Sequence, residues 1–115
     1  MKVDYKDNSK EVLAAMEKGK RNALTAIGAS GGTHTKDNIT ADKLVDTGRL
    51  RNSISHAVDG ESAYIGTNVE YAPYLELGTK KITAHHYLKR AVTEHQDEYK
   101  KLTAQAVQSA INNSQ

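Results

Sequence analysis

Apolar residues recur along this chain with two different periods. Near the start, Val12, Met16, Gly19, Ala23 and Ile27 follow one another at steps of three and four, and Leu13 and Leu24 widen the stripe. That is the spacing of an amphipathic helix. Asn8 and Glu11 stand where a capping box would open it, the amide side chain taking an orphan backbone N–H and the carboxylate reaching back. Lys18, Lys20 and Arg21 fall mostly off the stripe and are expected in solvent. The run GASGG at Gly28–Gly32 interrupts the pattern. Each glycine costs a helix about 1 kcal/mol relative to alanine. The sequence therefore predicts a break or a mobile segment within Gly28–Asn38.

The period then changes to two. Asp46-Thr47-Gly48-Arg49-Leu50 reads as a tight turn, with Asp46 accepting backbone N–H groups, Gly48 tolerating a tight backbone and Leu50 as an apolar anchor. Ser53 to Val58 alternates like a half-buried strand. Asp59-Gly60 is a hairpin signal, with Glu61-Ser62 enlarging the loop, and Ala63 to Thr67 is the returning strand. In Val69 to Leu77, Pro73 sits in the first turn of a brief helix that Gly78 closes, and Thr79 to Thr83 is a polar loop expected to be mobile. From about Ala84 the helical period returns: Leu88, Val92, His95, Tyr99, Leu102 and Ala106 form one face, broadened by Ala91, Ala110 and Ile111, with fraying expected over Asn112 to Gln115. A lone hairpin is unstable in water. The expected fold class is thus α+β, a small antiparallel sheet packed against a long N-terminal and a long C-terminal helix in a single domain, 1–115.

Composition narrows the function. The chain has 115 residues, 37% hydrophobic, with no Phe or Trp and six Tyr. Its mean hydropathy of -0.68 is low for a self-sufficient monomer, and self-association would add burial. Four tyrosines, Tyr64, Tyr71, Tyr74 and Tyr87, cluster in or just after the central stretch, and a ring with a polar tip suits interfaces as well as cores. The absence of Cys excludes disulfides and thiol chemistry. No apolar run is long enough to span a membrane, and the polar N-terminus is unlike a signal peptide. A net charge of +2 gives no mandate for nucleic acid.

Three strings in fixed order resemble one known family. DTGRL (Asp46–Leu50) is followed by VEYAPYLELGT (Val69–Thr79), and then by Ala84-His85-His86-Tyr87-Leu88-Lys89-Arg90-Ala91. Together they resemble the HK97 gene-product-10-like family of bacteriophage head–tail connection and tail-completion proteins. The third string departs from the family pattern in carrying Tyr87 where Phe is usual and in lacking a proline. GASGG departs from the long continuous helix of the family. The resemblance implies a non-enzymatic virion protein of the neck or tail, made in the host cytoplasm. It would form a homo-oligomeric ring on a platform, with other neck, tail-tube or tail-terminator proteins as partners, at most incidental contact with phage DNA, no membrane and no cofactor. The residues it singles out for assembly are Asp46, Thr47, Gly48, Arg49, Leu50, Tyr71, Pro73, Tyr74, Glu76 and Gly78.

Arg49 and Glu76, one charge of each sign in two rigid turns, suggest a bidentate pair. Tyr71 and Tyr74 share a face, with core and neighbouring subunit both open as what that face packs on. Metal chemistry finds little purchase: His85 and His86 are adjacent and diverge, while His34, His56 and His95 lie on separate elements, so no metal site is expected, and His95 is read as a packing residue. Glu98 and Lys100 diverge on a helix and make a poor nuclease motif. GASGG lacks the Gly-Lys-Ser/Thr ending of a phosphate loop, and nothing marks a nucleophile elbow. The alternative function is a small DNA-binding or DNA-processing accessory protein, with Arg49, Arg51, Lys80, Lys81, Lys89 and Arg90 on one side.

Overall fold

The computed structural model of the protein describes residues 9–44 and 47–113. Seven elements follow one another: α1 (Ser9–Ala41), α2 (Thr47–Ser53), β1 (Ser55–Val58), β2 (Ala63–Gly66), α3 (Ala72–Leu77), α4 (Tyr87–Thr93) and α5 (Gln96–Asn113). A two-stranded antiparallel sheet lies against the long first helix, and the long last helix packs on that same helix, so the α+β expectation holds. The capping residue Asn8, the turn residue Asp46 and the last two residues expected to fray lie outside the described residues.

The break expected in Gly28–Asn38 does not occur. α1 runs unbroken for 33 residues. The reason lies in what its glycines face. A Cβ on Gly28 would stand 2.9 Å from the His56 ring of β1, and one on Gly31 would collide with the Ile65 side chain of β2. Farther towards the N-terminus, a Cβ on Gly19 would come within 2.8 Å of the Val107 backbone on α5. Glycine lets the hairpin and α5 approach the axis of α1, and the packing gained offsets the lost propensity. Burial follows the same line through Ala15, Gly19, Ala23, Gly28, Gly31, Gly32, Thr35 and Ile39.

Within the DTGRL string, Thr47 to Leu50 are likewise helical where a turn was expected. Gly48 lies within α2 with ordinary helical φ, and Leu50 is fully buried as anticipated. Arg51 fixes α2 to the end of α1. Its Nη1 donates to the Lys36 carbonyl (3.1 Å), which the Thr40 hydroxyl also donates to, and to Thr40 Oγ1 (2.7 Å), placing a cation near the C-terminal end of the α1 dipole.

The hairpin pairs Ser55 with Gly66 and Val58 with Ala63, leaving a four-residue loop, Asp59 to Ser62. Asp59 Oδ1 accepts from the N–H groups of Glu61 and Ser62, and Tyr64 Oη donates to Asp59 Oδ2. These three donors hold the Asp59 carboxyl below its usual range.

The final helical pattern begins at Tyr87, three residues later than expected, and bends at Glu94-His95 between α4 and α5. Tyr99 explains the bend. Its hydroxyl donates to the Ala91 carbonyl, the acceptor that a straight helix would offer to the His95 N–H. Val92, expected on the packed face, is 48% exposed. The main core gathers Ile39, Leu44, Leu50, Ile54, Val69, Ala72, Leu75 and Tyr87 at one end of the molecule. Small residues carry the α1–α5 contact at the other end.

Candidate docking surface

The three motifs, scattered over more than forty positions, meet in one corner. α3 is a single turn and a half with Pro73 in its first turn, where a missing N–H does no harm. Gly78 ends it at φ 80°, the one positive-φ glycine among the described residues. A Cβ there would lie 2.9 Å from the Ala84 nitrogen, so both the dihedral and the space call for glycine.

Glu76 does not pair with Arg49. Its Oε1 accepts from the Leu88 N–H (2.7 Å) and its Oε2 from the Lys89 N–H (3.3 Å). It thus supplies the side-chain acceptor for the first turn of α4, a task that the local N-cap His86 does not perform. The chain doubles back beside it, with the His85 N–H donating to the Leu75 carbonyl and the His86 N–H to the Glu76 carbonyl. Tyr87 closes the corner from below. It is fully buried, and its hydroxyl donates to the Ala72 carbonyl at 2.7 Å. Burial pushes its pKa up from 10.0 to about 12. The Tyr87 hydroxyl therefore ties the Ala84–Ala91 string to the Val69–Thr79 string.

Arg49 links the first motif to the second through other groups. Its Nη2 lies 3.2 Å from Glu70 Oε2, and its guanidinium lies 5.4 Å from the centre of the Tyr71 ring. Glu70's own backbone N–H, then Arg49, hold that carboxyl below its usual range. Arg49 reaches Glu70 instead of Glu76 because α2 places it over the N-terminal side of α3, while Glu76 faces α4.

Two large apolar side chains also face outward beside the exposed Arg49–Glu70 pair. Tyr74 is 57% and Leu77 71% exposed, three residues apart on one helical face. Beside them runs a shallow groove lined by Val69, Ala72, Pro73, Leu77 and Leu88. Tyr71 faces the fold and Tyr74 faces out, so the two do not share one role. The Thr79–Thr83 loop is pinned, the Thr79 hydroxyl accepting from the N–H groups of Lys81 and Ile82. Of the assembly residues named from sequence, Asp46 lies outside the described residues, Leu50 is core, Arg49, Tyr71, Glu76 and Gly78 hold the corner together, and Pro73 and Tyr74 stand on its surface.

Sequence reasoning missed two things. Glu76 lies inside α3, and nothing local in the sequence signalled that it would cap α4. Histidines read as separate also come together: His34 and His95 stack with ring centres 3.5 Å apart, and Glu98 lies against both. The spacing of His95 and Glu98, three apart on a helix, was visible; the expected break in α1 hid the position of His34.

No family model matches the chain, and no curated protein or solved structure is similar enough to count as a match. Among the described residues, no helix is long and apolar enough to cross a membrane.

Proposed function

We propose that the protein is a structural component of a tailed bacteriophage or prophage particle, acting in head–tail joining or tail completion by docking and ring assembly. The observation that supports this reading is the convergence of the three motifs. Residues that resemble the family signature build one rigid corner, and that corner presents Tyr74 and Leu77 outward. An exposed tyrosine and leucine on a stiff turn suit a protein partner, because the backbone needs no ordering and covering them removes apolar surface from water. The role involves no catalysis and places the chain in the neck or tail of the particle.

The DNA-binding alternative draws less support. Of the six basic residues that would make its surface, Arg49 lies on Glu70 and Tyr71, Arg51 on the end of α1, and Arg90 on Asp42 at 2.6 Å. A stripe half engaged in holding the fold makes a weak phosphate track.

Two experiments test the proposal. Particles purified from a host carrying this sequence should contain the chain at ring stoichiometry by quantitative mass spectrometry; particles without it overturn the reading. Binding to duplex DNA, followed by fluorescence anisotropy at physiological salt, should be weaker than micromolar; tighter binding favours the alternative.

A further inference from the structure

We propose that His34, His95 and Glu98 form a binding site for a divalent transition-metal ion of the zinc class, which clamps α1 to the start of α5. The three donors come from two directions. His34 projects from the C-terminal half of α1, His95 occupies the bend before α5, and Glu98 lies in the first turn of α5. One ligand atom from each lies within 4.8 Å of the others.

Glu98 Oε2 stands 2.6 Å from His34 Nε2 and 3.8 Å from His95 Nδ1. Bonds of roughly 2.0–2.2 Å to a tetrahedral ion put donor atoms about 3.3–3.5 Å apart. The two observed separations bracket that range, and the third, between the two imidazoles, is no more than 4.8 Å. The rings are nearly parallel, 4° apart, and their lone pairs lie in the ring planes. Both rings must therefore turn about Cβ–Cγ until their nitrogens converge. Their side chains keep 23% and 31% exposure, which leaves room for that rotation and an open side for water as a fourth ligand.

The surroundings already prepare the carboxylate. Ser30 Oγ donates to Glu98 Oε1 at 2.8 Å, turning Oε2 towards the histidines. Tyr99 meets the His34 ring edge-on at 6.4 Å, and the bond from its hydroxyl to the Ala91 carbonyl fixes the bend that carries His95. Two imidazoles and one carboxylate select zinc, cobalt or nickel over magnesium or calcium, which prefer all-oxygen shells.

Cobalt titration of tag-free protein near neutral pH tests the assignment. One equivalent of Co2+ should give the visible bands of a low-coordinate site, and Zn2+ should displace it. Zn2+ should raise Tm by at least about 5 °C, and Mg2+ should leave it unchanged. His34→Gln and His95→Gln should each abolish the bands, Ser30→Ala should weaken binding roughly tenfold, and His56→Gln should have no effect. On the unaltered protein, Zn2+ should shift the ring resonances of His34 and His95 before those of His56, His85 and His86, a readout that does not depend on any variant folding. Absence of cobalt bands up to about 1 mM metal, bands that survive both His34→Gln and His95→Gln, or ring shifts confined to other histidines would each overturn the proposal.

Discussion

Single hydroxyls and carboxyls do much of the joining in this small protein. Tyr87 is the sharpest case, a fully buried phenol whose proton is committed to the Ala72 carbonyl. Tyr87→Phe keeps the ring and removes the bond, and should lower unfolding free energy by about 1 kcal/mol in urea melts. It should also change the alkaline limb. Because the folded pKa of Tyr87 is raised to about 12, its contribution is complete below the ordinary value of 10.0 and is lost as pH rises through the folded one. Stability should thus fall between about pH 10 and 12 in the parent, and less steeply in Tyr87→Phe. Asp59 behaves in the opposite sense. Its folded pKa is depressed, so its contribution is present above the ordinary carboxylate value and disappears as pH falls through the folded one. The amide resonances of Glu61 and Ser62 should titrate with a midpoint below the ordinary 3.8 of an aspartate, and Asp59→Asn should abolish that titration.

At the level of elements, period and turn chemistry were legible and helix continuity was not. The hairpin, its enlarged loop, the Pro73–Gly78 helix and the two long helices can all be read from side-chain spacing, because those signals are local. GASGG misled because propensity counts what a glycine loses and cannot show what approaches it. Gly28 and Gly31 are explained only by His56 and Ile65, some thirty residues away in the chain. The bend at Glu94-His95 was hidden for the same reason, since it depends on where the Tyr99 hydroxyl goes. Among the site residues, Leu50, Pro73 and Gly78 were legible, whereas the partner of Arg49 and the task of Glu76 depended on the order in which helices stack. Two substitutions separate propensity from packing. Gly32→Ala meets no atom within 4 Å and should stabilise by up to about 1 kcal/mol. Gly19→Ala gains the same propensity but drives a Cβ into the Val107 backbone, and should lower Tm through a net loss of stability.

The whole molecule is a rod, 75 × 23 × 22 Å, with a radius of gyration of 19.3 Å. A compact chain of this length would have a radius of gyration of about 13 Å. Large apolar side chains stay outside at both ends of the described structure: Leu13 and Met16 on α1, Tyr74 and Leu77 on the corner. Tyr74 and Leu77 are mostly exposed, so Tyr74→Ala and Leu77→Glu should shift monomer stability by less than about 0.5 kcal/mol. If the corner is the docking surface, either change should abolish higher-mass species in light scattering across concentrations while the melting curve stays put. α1 is also the common spine on which the hairpin and α5 both rest, and this gives the fold a history. Some 55 residues separate Ala41 from Gln96, so at roughly 5–20 residues per second α1 is made several seconds before its last partner. An isolated helix with glycines in its middle is marginal in water. The hairpin arrives first and covers Gly28 and Gly31; the half bearing Ala15, Gly19 and Ala23 waits for α5. A fragment ending at Ile54 should accordingly show no stable helix over residues 28–38 by NMR. The interruption written in GASGG is then a stage in the birth of the chain, erased once the strands close over it.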